Sequence, residues 1–417
     1  MCKFYIKGNN RLVGDVNISS AKNAVLPILA STILADSESI INNVPMLEDV
    51  YVLCDVLKSI SAEVNIDKDN NKIRIDAKNL DDKGIDNNLI GKMRAAFLII
   101  GPLVARFGKA RISLPGGCKI GARPIDLYLK GLKALGATIK EESGYVEVST
   151  KKFIGSAVFL DYPSVGATEN LMMSATLAEG NTYIENAARE PEIVDLANFL
   201  NKMGAEIIGA GTSTICIKGV NKLNGANHSP IFDRIEAGTM MVAAPITKGK
   251  IIINGVDENY LRPAIFKLRE MGVKIEVIGN KVIVDGDVDL KPINIITLPH
   301  PGFPTDMQSQ MLSLLCIAQG QSSVKETVFE NRFMQVSQLR RMGANISING
   351  KVATIDGVGQ LTGAEVIAPD LRAGAGLVLA GLGAKGDTII DEIYHIDRGY
   401  VSIEDKLTAL GADIIRI

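Results

Sequence analysis

LKALGATI, Leu132–Ile139, decides the reading of this chain, because near-copies of it return along the whole length: LKSISAEV from Leu57, LNKMGAEI from Leu200, LREMGVKI from Leu268, LRRMGANI from Leu339 and LTALGADI from Leu407. The spacing, about 68 to 75 residues, is a repeat period, and periods are read before any local feature. Each copy closes an amphipathic helix, passes through a glycine able to take a left-handed backbone, and runs into a β-branched strand. Ser61 stands in the glycine's place in the first copy.

Upstream of each copy lies a second helical pattern: SSAKNAVLPILASTIL, LIGKMRAAFLIIGPLV, PSVGATENLMMSATLA, DRIEAGTMMVAAPIT, FPTDMQSQMLSLLCIA and PDLRAGAGLVLAGLG. These are apolar nearly all round, which places them at the centre of a domain. Short strands such as GKIIINGV follow most of them, so the unit reads β-α-β-α-β and, with its last strand doubled, as a βαβαββ-type repeat of an α/β protein. The polar stretch GVNKLNGANHSPIFD, Gly219–Asp233, reads as an interdomain linker with three repeats on each side. The opening segment FYIKG to DVNI resembles the closing strands of later repeats. The expected domains are therefore residues 1–20 with 231–417, and residues 21–230.

A chain of 417 residues suits two cores rather than one. With 45 basic and 47 acidic residues no bulk field favours nucleic acid or a membrane surface, so an anionic partner has to be held by locally placed cations. The longest apolar runs fall short of the roughly 20 residues of a membrane span. Five cysteines without a C-x-x-C pair or a regular framework suit a reducing compartment, and the chain reads as cytoplasmic. Three widely separated histidines give no metal-ligand pattern, and no metal or cofactor is expected. GLGAKG, Gly381–Gly386, matches a dinucleotide fingerprint in letters only, because it follows a helix and precedes a strand.

Two features carry chemistry. The first is LPGGCKIGARPID, Leu114–Asp126, a glycine-rich loop presenting Cys118 beside Lys119 and Arg123, unlike Cys54, Cys216 and Cys316, which sit in apolar runs. Composition alone leaves Cys118 open between an idle loop thiol and a reactive one. The second is the choice of residues where the apolar helices begin: Lys22 and Asn23, Arg94, Ser164 with Thr168 and Glu169, Asp233 with Arg234, Thr305 with Asp306, and Asp370 with Arg372. Helix starts already favour anions, and basic residues there are unfavourable unless an anion is bound. Any one of these cations is read as a surface charge at a loop end. As a set, Lys22, Arg94, Arg123, Arg332, Arg372 and Arg398 point to one anion-binding cleft.

SSAKNAVLPILA, LPGGCKIGARPID, SVGATEN, FPTDMQ, ENRFM and DLRAGAG together resemble the UDP-N-acetylglucosamine 1-carboxyvinyltransferase family, over about Lys22 to Arg398. The resemblance implies a two-domain inside-out α/β barrel of six repeats, three per domain. It implies transfer of the enolpyruvyl group of phosphoenolpyruvate to the 3-hydroxyl of UDP-N-acetylglucosamine with release of phosphate, a step of peptidoglycan precursor synthesis that uses no metal or organic cofactor. The sister reaction on 3-phosphoshikimate and a silent nucleotide-binding paralogue are the alternatives.

By the same resemblance, Lys22 and Asn23 bind phosphoenolpyruvate, Arg123 and Arg398 lie around its phosphate, and Arg332 and Arg372 lie near its carboxylate. Arg94, the run Arg123, Pro124, Ile125, Asp126 and Leu127, the stretch Tyr162, Pro163, Ser164 and Val165, Asp306 and Val328 contact the sugar nucleotide. Asp306 takes the proton of the attacking hydroxyl. Cys118 donates a proton to C3 and is the target of fosfomycin-type epoxides. Lys119 and Arg123 favour its thiolate whereas a donor must be protonated, and bound phosphate pushes the other way. The chain departs from the family's common pattern at Leu98, where many members have Trp, and at Tyr162, where many have Lys.

Overall fold

The computed structural model describes residues 2–81, 94–113, 125–142 and 144–417, and of residues 94–96 and 113 the backbone alone. Cys118, Lys119, Arg123 and Pro124 lie outside the described residues, as does the side chain of Arg94.

Every copy of the repeated phrase ends its helix in the same hydrogen-bonded motif. The N–H after the glycine reaches back to the leucine carbonyl, as in Ala137 to Leu132 at 3.0 Å, Val273 to Leu268 at 3.0 Å and Ala412 to Leu407 at 3.0 Å. The glycine N–H bonds one residue further on, Gly136 to Lys133 at 2.9 Å and Gly272 to Arg269 at 2.9 Å. This pair of bonds is the Schellman arrangement, which requires a left-handed residue between them. Gly136, Gly204, Gly272, Gly343 and Gly411 supply it at φ from 89° to 106°, and Ser61 takes it at φ 68°. The motif turns the chain from helix into strand in all six repeats.

The described residues form two compact units, one made of the chain up to Ser19 with Phe232–Ile417, the other of Ser20 to Ile231. In the first, three sheets of four strands each follow one βαβαββ plan. Asn294–Ile296 leads through Gln308–Leu315 to the parallel strand Gln321–Lys325, then through Val336–Arg341 to the hairpin Asn345–Asn349 and Val352–Asp356. The N-terminal segment serves both neighbouring sheets. Phe4–Lys7 lies between Asp387–Asp391 and Asp413–Arg416, while Val13–Asn17 runs parallel to Lys250–Asn254.

In the second unit Asn227–His228 pairs parallel to Ile40–Ile41. The polar stretch expected as a linker thus carries a two-residue strand paired with the first repeat, and within it the chain passes between units at Ile231 and Phe232. Strand pairing joins the sheets into no closed barrel among the described residues.

Inside each unit are the apolar helices. Arg234–Ile246 is buried from Ile235 onward, Gln308–Leu315 throughout and Leu371–Gly383 from Arg372 to Leu382. All three pack on one another, and Ser313 Oγ donates across to the Gly376 carbonyl at 2.8 Å. Lys22–Ser31 and Val165–Ala175 are the equivalents in the other unit. Leu98 is buried in that core. Cys54 and Cys316 are also buried, and burial pushes both thiols up to about 12. Cys216 is not; it alternates with the buried Ile215 and Ile217 and so faces outward. No described helix is long and apolar enough to cross a membrane.

Ser61→Gly is expected to raise stability by about 1 kcal/mol, since a non-glycine residue carries a penalty of about 1–2 kcal/mol in the left-handed region. A thermal or urea melt that shows no gain would contradict the motif at this position.

Candidate active site

In the unit containing the C-terminus the helix starts bring three predicted residues into contact. Asp306 lies in the single turn Thr305–Met307 that opens into Gln308–Leu315. Its Oδ1 accepts from Arg332 Nη2 at 2.8 Å, and its Oδ2 from Arg372 Nη2 at 3.1 Å and Nε at 3.3 Å. Both guanidiniums are 3% exposed. Arg372 opens Leu371–Gly383, whose N-cap Asp370 accepts from the N–H groups of Arg372 at 2.9 Å and Ala373 at 3.1 Å. Burial works against the Arg372 charge, yet Asp306, Tyr400 and Asp233 outweigh it and leave its pKa raised. Among the described residues Arg332 Nε and Arg372 Nη1 are buried donors without an acceptor. This is an arrangement that takes an anion or a further polar group.

Arg398 follows the short helix Tyr394–Asp397, partly buried, two residues before Tyr400. Tyr400 is buried beneath the Arg372 guanidinium, 5.5 Å from ring centroid to carbon, and its hydroxyl joins Thr239 Oγ1 at 2.9 Å and Gln310 Nε2 at 3.2 Å. Val328 lies in the loop that carries Arg332, with its N–H on Glu326 Oε1 at 2.8 Å.

In the other unit Lys22 is the first residue of its helix and 9% exposed, and its Nζ meets Asp49 Oδ2 at 2.9 Å. Asn23 beside it is partly exposed. Arg94 opens the 3₁₀ turn Arg94–Ile99. Ile125 caps Asp126–Ala134, with Asp126 exposed and Leu127 half-buried. That helix lies against Val165–Ala175 at Gly166, where a Cβ would fall 1.7 Å from Tyr128 Oη, so only glycine allows the approach. The contact joins the first turn of the Asp126 helix to the first turn of the Val165 helix. Ser164 Oγ caps the Val165 helix by accepting from Ala167 N–H at 3.3 Å, and its own N–H donates to the Tyr162 carbonyl at 2.7 Å across Pro163. Tyr162 is 40% exposed.

The cations at helix starts thus come with resident carboxylates, Lys22 with Asp49 and Arg372 with Asp306, and the loop residue Arg332 shares Asp306. Within the protein these partners offset the penalty expected from the sequence. Asp49, Glu326, Tyr400 and Thr239 were not legible as site residues. Asp49 had a signal, an acid in the first turn of Glu48–Ser59, but that turn is an ordinary place for an acid. No group of three or more His, Cys, Asp or Glu able to hold a metal occurs among the described residues.

The fold and these cation-bearing helix starts accord with an enolpyruvyl-transferase type of protein. The family model described as EPSP synthase (3-phosphoshikimate 1-carboxyvinyltransferase) matches residues 6–407. The enolpyruvyl transferase NikO from Streptomyces tendae is 26% identical with a TM-score of 0.91, over 100% of this chain and 98% of that one. UDP-N-acetylglucosamine 1-carboxyvinyltransferase 2 of Clostridium tetani is 60% identical over 417 residues, covering 100% of both chains. UDP-N-acetylglucosamine 1-carboxyvinyltransferase 1 of Clostridium acetobutylicum is 57% identical over 417 residues, again covering 100% of both. The chain belongs to the UDP-N-acetylglucosamine 1-carboxyvinyltransferase family and is a transferase.

Glu169, buried on the Val165 helix, has its pKa raised well above the usual 4.5, first by desolvation and then by Glu192 and Glu190. A carboxyl with a raised folded pKa contributes most below its unfolded pKa and loses that contribution as the pH rises through the folded value. Stability should therefore fall above pH 4.5 toward the folded pKa, and Glu169→Gln should remove that part of the fall. Urea melts of both proteins across pH 4 to 9 with identical slopes would refute it.

Proposed function

We infer that the chain transfers the enolpyruvyl group of phosphoenolpyruvate to the 3-hydroxyl of UDP-N-acetylglucosamine and releases phosphate, the first committed step of peptidoglycan precursor synthesis. The observation that carries this reading is identity of 60% over the full length with a relative of that name. The donor is a phosphate and a carboxylate, the acceptor a diphosphate, and the helix-start cations suit both.

In this reading Asp306 accepts the hydroxyl proton as oxygen adds to C2, and Cys118 supplies the proton to C3. Loss of that C3 proton with departure of phosphate restores the double bond as an enol ether. Lys22, Arg123 and Arg398 hold the phosphate, Asn23 assists, and Arg332 and Arg372 face the carboxylate. Arg94, Arg123 to Leu127, Tyr162 to Val165 and Val328 hold the nucleotide. Two guanidiniums occupy both oxygens of Asp306. A substrate carboxylate that draws either one away opens that oxygen to the hydroxyl at the moment a base is needed.

Cys118 is also the site proposed for fosfomycin-type epoxides. The cytoplasm is the proposed compartment, in keeping with the free thiols Cys2, Cys54, Cys216 and Cys316. The description of the family model favours 3-phosphoshikimate as the rival acceptor.

Phosphate release from phosphoenolpyruvate is expected with UDP-N-acetylglucosamine and not with 3-phosphoshikimate; the reverse would overturn the reading. Cys118→Asp should keep turnover and Cys118→Ala should lose about a hundredfold or more, the lower end of the range for a proton-transfer group. Parent-like activity in the alanine variant removes Cys118 from the donor role.

A further inference from the structure

We propose that Glu326 is a positioning residue that holds the Asp306 turn and the Val328–Arg332 loop in register, so that one buried carboxylate governs both sugar-nucleotide affinity and turnover. The proposal rests on the function inferred above and deepens it.

Glu326 is 1% exposed and forms no ion pair among the described residues. It is held by four neutral donors from three segments. Oε1 accepts from Thr297 Oγ1 at 2.8 Å, Val328 N–H at 2.8 Å and Phe329 N–H at 3.2 Å. Oε2 accepts from Thr305 Oγ1 at 2.9 Å. Thr297 is tied in turn to Thr327, whose N–H reaches Thr297 Oγ1 at 3.0 Å and whose hydroxyl donates to the Thr297 carbonyl at 2.5 Å.

Thr305 precedes Asp306 in the turn, and Val328 and Phe329 precede Arg332 in the loop that grips Asp306. The two oxygens therefore serve different ends: Oε1 fixes the loop of the nucleotide contact, and Oε2 fixes the turn of the base. An ionised carboxylate is acceptor-only, and all four of its neighbours are donors. An amide whose oxygen stays with the loop turns an N–H toward Thr305, whose hydroxyl then has to rotate from donor to acceptor, so the charge-assisted bond to the base turn is replaced by a reversed, neutral one. Glu326→Gln thus disturbs the base turn selectively, whereas Glu326→Ala frees both segments.

The test measures phosphate release and, separately, UDP-N-acetylglucosamine binding by calorimetry, for the parent, Glu326→Gln, Glu326→Ala, Thr305→Val and Thr305→Ser, with a thermal melt of each. Glu326→Gln and Thr305→Val should lower kcat about tenfold to a hundredfold, the scale of a misplacement of about 1 Å, and leave nucleotide binding within about threefold. Thr305→Ser, which keeps the hydroxyl, should restore kcat. Glu326→Ala should lose both kcat and at least about tenfold in nucleotide binding.

A merely structural role would lower the melting temperature and the active fraction, but would not separate kcat from binding or be rescued by serine. Unchanged constants in Glu326→Gln and Thr305→Val, or equal losses in kcat and binding for all variants, overturn the proposal while leaving the function standing. A parent chain that neither binds the nucleotide nor releases phosphate overturns the function and this proposal with it.

Discussion

Everything in this structure depends on burying helices that are apolar all round. Arg234–Ile246, Gln308–Leu315 and Leu371–Gly383 pack on one another with almost no side chain in water. A polar group in their middle must find a partner inside the core or stay out. Their first turns are different, because the opening N–H groups lack intrahelical partners and carry partial positive charge. Chemistry is driven to those turns by exclusion from the rest. Asp306 and Arg372 are there for this reason, as are Lys22 and Ser164 in the other unit.

Polar residues that do remain inside show the same rule from the other side. Thr239, Gln310 and Tyr400 satisfy one another, and Tyr400 underlies Arg372. Ser313 bonds across a helix pair. Glu236 at the start of Arg234–Ile246 pairs with Lys406, whose ammonium also reaches Ser19 Oγ at 2.7 Å. Burial still raises the Glu236 pKa, with Lys406 opposing it. In the other unit Asp195 takes the His228 ring at 2.9 Å and the Ile231 N–H at 3.1 Å, so each unit fastens its own end of the crossing chain with a buried carboxylate.

The repeat was readable because a Schellman motif writes itself into letters: Leu, a variable pair, an apolar residue, Gly, then a β-branched strand. Ser61 obeyed the backbone demand without the letter. Helix starts were readable too, since Asp233, Asp370 and Ser164 cap where caps were expected. What escaped was pairing over distance. Nothing local joins Lys22 to Asp49, or marks Glu326 in KETVF as a hub for Thr297, Thr305 and Val328. The boundary within Gly219–Asp233 was legible, but the short strand Asn227–His228 was not, because its partner at Ile40–Ile41 is far away in sequence and composition saw only turn formers. Cys216 was misread because an apolar run hides the alternation of a strand whose outer face is open.

A site made of cations with resident carboxylates differs from a bare basic patch in what it costs to bind an anion. A bare patch attracts any anion, with an energy that salt screens away. On the proposed function Arg332 and Arg372 would surrender part of their contact with Asp306 to the incoming group, which would have to supply hydrogen bonds in the same geometry as well as charge. A bidentate oxyanion meets that demand and chloride does not. On that reading selectivity for an oxyanion-bearing donor would follow from the exchange itself, and binding and activation would be two descriptions of one rearrangement at Asp306.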